Sequence, residues 1–353
     1  VRLNTIALNH IGEIRSGGGD SKPSPIPQWI REHVVFYYDV KKQGATNETL
    51  KESAYLQDLS GKGRRMKLNN FLFAEMSGVG GYNENFLKWN SPSSYGNVEK
   101  VSSSEVVIKS LLGVQKGVLY IDLSIKAVHI KCHITGITKE IEGKFVFQYN
   151  KQGNKHIILK DGNFEFDSES LSLGSENSWV GFTTLEVIDN CNITITQIPE
   201  YPGALVTDGV NDYGLVENLS SGVKMLFMTV NPMSKNRVLY DARNNSGFAI
   251  YNTNAMIAYQ AINKQGFTYI NGVLNKTIYP YDLVGEKQVI TICNDTVPDS
   301  VKGMDVLFAS FNKNENMSCA FYNSIAFDSI PTEADGFTEQ ELIDYVLTNI
   351  IGQ

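Results

Sequence analysis

Cysteine is scarce in this chain. The four that occur, Cys132, Cys191, Cys293 and Cys319, include no Cys-x-x-Cys pair. Their scatter excludes a clustered structural zinc site and a disulfide-dense scaffold. They read as buried free thiols of a reducing compartment, with a Cys132–Cys191 bridge across one sandwich as the alternative. Long apolar runs are also missing. None approaches the roughly 18 residues that cross a bilayer, so no membrane span is expected. Positive charge is in deficit, with 31 Lys and Arg against 38 Asp and Glu, for a net charge of −7. That argues against nucleic acid as a partner, since phosphate neutralisation needs the opposite balance. There is no P-loop, dinucleotide fingerprint or Gly-x-Ser-x-Gly elbow. The opening VRLNTIALNHIGEIRSGGG has no apolar core of about 7–15 residues, so no secretory signal is expected within it.

What remains is a globular composition of 353 residues, 42% hydrophobic and 20% charged, enough for two or three domains. Residues 1–28 form an arm and linker. Leu3, Ile6, Leu8, Ile11 and Ile14 alternate and then give way to SGGGDSKPSPIP, which holds neither a helix nor an inner strand. The arm reads as an extended segment that docks on another protein, or else as a frayed terminus. HVVFYYDV (33–40) is a buried strand by its β-branched and aromatic content. Asp58, Ser60, Gly61 and Gly63 then make a turn. Residues 73–104 read as a long irregular surface loop anchored by Tyr82, Phe86 and Trp89. From 105 to 199 the rhythm is β: GVLYIDLSI, AVHIKCHIT, KFVFQYN, KHIILKDGNFEFD, TTLEVID and NITITQIP alternate apolar with polar residues. That spacing predicts a small antiparallel sandwich. GALVTDGVNDYGLVENL (203–219) reads as a hairpin, and further strands follow, with Asn271-Gly272 as a type I′ turn. One helix closes the chain, with Thr338 as N-cap, Glu341 completing a capping box, and Leu342, Tyr345, Val346 and Ile350 as its apolar face.

Three pieces carry a resemblance. Asp58, Ser60, Gly61 and Gly63 form one. Leu205, Asp208, Gly209, Asp212 and Tyr213 form the second. Tyr322, Ile325, Phe327 and Asp328, followed by Glu339–Tyr345, form the third. In this order they resemble the concanavalin A-like, laminin-G-type jelly roll. The resemblance covers residues 30–72 and 203–353. It implies an all-β fold: a jelly-roll sandwich (29–72 and 200–353) interrupted by the 73–104 loop and an inserted smaller β-sandwich (105–199), with a short C-terminal helix. An exposed loop tolerates such an insertion. The phrases LNHIGEIRSGGG, VFYYDVKKQGATNETLKE and LVTDGVNDYGLVENL, with the Gly-rich arm, also look like tail- or fibre-associated virion proteins of phages infecting gut Bacteroidetes. That likeness implies a non-enzymatic virion protein made in the host cytoplasm. It would attach to other virion proteins by its arm, contact bacterial surface polysaccharide and form a homo-oligomer, although no heptad repeat sets one. The alternative is a carbohydrate-binding lectin on a Bacteroidetes cell surface.

Chemistry is sparse by the same reading. Jelly-roll glycosidases of the laminarinase type carry Glu-x-Asp-x-(x)-Glu on one strand, because retaining hydrolysis needs two carboxyls close together. That pattern is absent. Glu165–Asp167 and Glu341–Asp344 are the nearest approaches, and no catalytic residue is assigned. His129 and His133 would share a strand face about 13 Å apart, too far for one metal ion. Laminin-G-type domains bind calcium at the sandwich rim through Asp and carbonyl ligands. Asp208, Asp212 and Asp241 are the conceivable ligands, with turn hydrogen bonding the favoured role of the first two. For sugar stacking the candidates are Tyr82, Phe86 and Trp89 on the loop, and Tyr279 and Tyr281 in TIYPYDL. Pinning of loops is the alternative role of each.

Overall fold

A computed structural model describes residues 27–122, 128–150, 154–168, 179–219, 222–234, 237–241, 249–252, 257–259, 267–275, 285–293, 303–309 and 316–351. The N-terminal arm lies outside them. The chain forms two compact units. The first takes in Val1–Phe73, Ser77–Val79 and Gly203–Gln353; the second takes in Ala74–Met76 and Gly80–Pro202. Among the described residues both are all-β, with every strand ladder antiparallel.

Two sheets make the first unit. At the centre of one lies Ser318–Phe327, because its SCAFYNSIAF is almost wholly buried and pairs on both edges. One edge takes Met225–Pro232 along its full length. The other is shared end to end by Val34–Asp39, against Phe327 to Asn323, and Leu205–Asp208, against Phe321 to Ser318. The second sheet carries Tyr213–Leu219 between Met66–Asn69 and Gly303–Leu307. Between the sheets, Phe36, Leu226, Ile290 and Phe321 pack with Met66, Leu68, Val216 and Leu307. The first sheet is covered on its other face as well. There Trp29 and Ile30 of the short helix Gln28–His33, and Leu342, Ile343, Val346 and Ile350 of the C-terminal segment, meet Met225, Phe227, Ile325 and Phe327. Cover on both faces explains why VVFYYD and MLFMTVNP are buried at every position and show no polar alternation. The closing helix, Glu339–Val346, has the expected box: Thr338 accepts from Glu341 N–H, and Glu341 accepts from Thr338 N–H. Ile343 joins Leu342, Val346 and Ile350 on the buried face, and Tyr345 packs against the same core half-buried.

The second unit is a sandwich of four and five strands. Asn154–Ile158, Phe145–Asn150, Trp179–Thr184 and Leu119–Asp122 form one sheet, in that order. Gly162–Asp167, His129–Thr135, Ile193–Gln197, Glu105–Leu111 and Gly96–Lys100 form the other. Half-burial keeps the alternation clean here. Ile130, Cys132 and Ile134 point inward, while His129, Lys131 and His133 point out.

Three expectations change. Residues 203–219 do not form a hairpin. Leu205–Asp208 belongs to one sheet and Tyr213–Leu219 to the other, so the turn between them is an arch across the sandwich. Next, the 73–104 segment is not a surface loop throughout. Gly96–Lys100 pairs with Glu105–Leu111, and Phe86 and Trp89 enter the core of the second unit. Finally, the strand expected in TTLEVID lies earlier, at Trp179–Thr184, where Val180 and Phe182 supply the inward alternation. The Asn271-Gly272 turn does have both residues at positive φ, as type I′ requires.

Candidate functional site

The acidic turns are built from backbone satisfaction. Asp58 Oδ1 accepts from Tyr37 N–H at 3.0 Å and Ser60 N–H at 2.9 Å, and Oδ2 accepts from Arg64 N–H at 3.0 Å. Asp208 Oδ1 accepts from Val210 N–H at 2.8 Å. Asp212 Oδ2 accepts from Asp208 N–H at 3.0 Å, which closes the arch between the sheets. Short polar side chains that bond the chain two to four residues away are the usual turn device. Asp212 is fully buried. Burial pushes its carboxyl up to about 7, against the lowering effect of the Asp208 N–H and the Ser77 hydroxyl.

Asp241, at the end of the strand Arg237–Asp241, is buried too. Among the described residues, no three His, Cys, Asp or Glu side chains stand close enough to hold a metal. A hard cation wants ionised, converging oxygens, and burial works against ionisation at Asp212. His129 meets Glu165 at 3.3 Å on a diagonal of the ladder, and His133 meets its directly paired Asn163 at 2.8 Å. Glu341 caps the helix and Asp344 accepts from Gln340, so that acidic stretch also serves local structure.

The aromatic candidates divide. Phe86 and Trp89 meet edge to face at 5.5 Å in the core of the second unit, and their relative exposures are 0% and 1%. Trp89 Nε1 donates to the buried Glu84 at 3.3 Å. Neither ring can offer a face to a sugar, which corrects that expectation. Tyr82 is half-buried, its N–H donating to Glu75 C=O. Tyr279 and Tyr281 lie outside the described residues.

The four cysteines are unpaired. Burial pushes the Cys132 and Cys319 thiols up to about 12, so neither is a nucleophile near neutrality. A further buried cluster joins Tyr37, Asp39 and Lys42. Lys42 Nζ donates to Tyr37 Oη at 3.0 Å and to Ile350 C=O at 2.8 Å, while Tyr37 Oη donates to Asp39 at 3.1 Å. Burial raises the Asp39 carboxyl and lowers the Lys42 ammonium. With its donors turned onto a main-chain carbonyl, the cluster fastens the C-terminal turn.

No family model, curated protein or solved structure matches this chain.

One open feature has the form of a binding site. In the second unit a cleft of about 550 Å³ lies between the turn following His129–Thr135 and the loop preceding Ile193–Gln197. Its rim carries Thr138, Glu140, Asp189 and Asn190, all exposed, and Ile141 and Ile188 line it as aliphatic groups. Sequence reasoning missed it because its two walls stand some fifty residues apart and neither holds a motif. The clusters of Gly, Thr, Asn and Asp at 136–138 and 189–192 were the available signal, and they mark loops of any kind.

Proposed function

We propose that the protein is a non-enzymatic structural component of a virion, in a tail, baseplate or fibre, that displays β-sandwiches toward glycans of a host surface. Two lines support this reading. The three sequence pieces resemble the concanavalin A-like jelly roll, and LNHIGEIRSGGG, VFYYDVKKQGATNETLKE and LVTDGVNDYGLVENL look like tail- or fibre-associated virion proteins. The structural observation that carries it is how the most chemistry-like side chains are used. Asp58, Asp208 and Asp212 hold turns, and Phe86 and Trp89 fill a core. In this reading the arm attaches the protein to other virion proteins, and copies of the chain associate.

The test is location. Purified particles, analysed by mass spectrometry and by electron microscopy with a labelled antibody, should contain the protein at a tail or baseplate position. Recovery in a bacterial envelope fraction, with none in particles, would replace this reading by that of a cell-surface lectin.

A further inference from the structure

We infer that the cleft of the second unit binds a short neutral saccharide, of two or three sugar units. The inference deepens the proposed function and rests on its glycan-contacting part alone. Attachment to a virion is a separate matter.

The size of the cleft suits such a ligand. At about 550 Å³ it falls within the roughly 300–1,000 Å³ of small-molecule sites. The chemistry of the lining narrows the class. A sugar ring has apolar C–H faces and a girdle of hydroxyls, each of which both donates and accepts. The cleft offers the exposed Val187 and the half-buried Ile188 to the former. It offers the Thr138 hydroxyl, the Asn190 amide and the Glu140 and Asp189 carboxylates to the latter. Anionic ligands are disfavoured. Lys144, the cation of the lining, is engaged by Glu186 at 2.9 Å, and two carboxylates stand on the rim. Phosphate, sulfate and acidic sugars would meet like charge there. The lining holds no aromatic ring, so affinity comes from hydrogen bonds and not from stacking.

The walls are held before any ligand arrives. Ile188 and Leu111 exchange two backbone hydrogen bonds, each of 2.8 Å. Cys191 N–H donates to Lys109 C=O at 2.9 Å, and Lys109 Nζ reaches Asn192 Oδ1 at 2.6 Å. Gly136, at φ +95°, brings the two walls together, since a Cβ there would stand 2.1 Å from Asn192 C=O. Walls fixed in this way spare the ligand the entropy of ordering loops.

The experiment uses the full chain, labelled with ¹⁵N, titrated with cellobiose, maltotriose, lactose and N,N′-diacetylchitobiose, and in parallel applied to an array of bacterial surface glycans. The expected result is saturable binding of at least one neutral saccharide, with amide shifts confined to 136–144 and 186–192. Asp189→Ala and Asn190→Ala, both at exposed positions and checked for an unchanged melting temperature, should each weaken that binding about tenfold, the worth of a hydrogen bond to a charged or well-placed group. Binding that survives both substitutions, or that shifts residues elsewhere, overturns the assignment to this cleft and leaves glycan contact standing. Silence across the titrations and the array overturns both. Preference for acidic glycans overturns the stated ligand class.

Discussion

Three backbone N–H groups converge on the Asp58 carboxylate, and one on Asp212. Only Asp212 is fully buried among these turn aspartates, and that difference has a measurable consequence. Its carboxyl is pushed up to about 7, from an ordinary value of about 3.9 in an unfolded chain. Between those two values the folded protein holds a proton that the unfolded chain has released. By linkage, this group's contribution to stability therefore falls as pH rises from about 4 to about 7 and is constant outside that window. Asp212→Asn keeps an oxygen for Asp208 N–H and cannot ionise. Denaturation midpoints measured at pH 5 and pH 8 should show the variant gaining on the parent at the higher pH, by on the order of one to a few kcal/mol. A stability difference that does not change with pH would mean that Asp212 ionises freely in the fold.

At the scale of elements, the C-terminal turn Leu347–Ile351 is held by more than its apolar face. Ile350 C=O accepts from Lys42 Nζ, which also donates to Tyr37. Lys42→Met keeps the aliphatic stem and removes the donor. The variant should lose about 1–2 kcal/mol, the cost of a buried acceptor left without its charged partner. Amide hydrogen exchange should rise at Leu347–Ile351 while remaining slow in Ser318–Phe327; uniform exchange changes would assign Lys42 a general role instead. Nothing in the sequence near Lys42 announced this contact, because its partner lies some three hundred residues away. The same limit separates the legible elements from the illegible ones. Alternation found His129–Thr135 and Ile193–Gln197, because each has one wet face. The capping box placed the last helix because its signal is local. The arch at 208–212 was misread because a polar turn between two apolar runs looks the same whether the chain doubles back within one sheet or crosses to another. Phe86 and Trp89 were misread because Gly, Asn and Ser around them suggested a surface loop, whereas tertiary packing draws both rings inward. The cleft is a property of two distant loops together, beyond the reach of any window along the chain.

At the scale of the whole molecule, the chain touches the second unit briefly at Ala74–Met76, leaves the first unit after Val79 and re-enters it at Gly203. On that side the two ends are neighbours, since Val79 pairs with Leu205. On the other side the ends of the second unit are also neighbours, since Tyr201 N–H donates to Gly80 C=O at 2.8 Å and Glu200 N–H to Gly81 C=O at 2.9 Å. The second unit has its own core, with Phe86, Trp89, Phe145, Phe147 and Phe182 among its residues. An excursion that starts and ends at one place costs the host little loop-closure entropy, and a unit with its own core does not need the host. A fragment of residues 74–202, which keeps Glu75 against Tyr82 and Lys88, should therefore fold alone, giving dispersed amide resonances and one cooperative melting transition. The complementary chain, with 80–202 replaced by a short Gly-Gly linker from Val79 to Gly203, should keep the ladder between Leu205–Asp208 and Ser318–Phe327, read as slow amide exchange in both strands. A fragment that collapses without resonance dispersion would show that the second core depends on the rest of the chain. Failure of the shortened chain alone would show that the crossing at Val79 and Gly203 is strained without its insert.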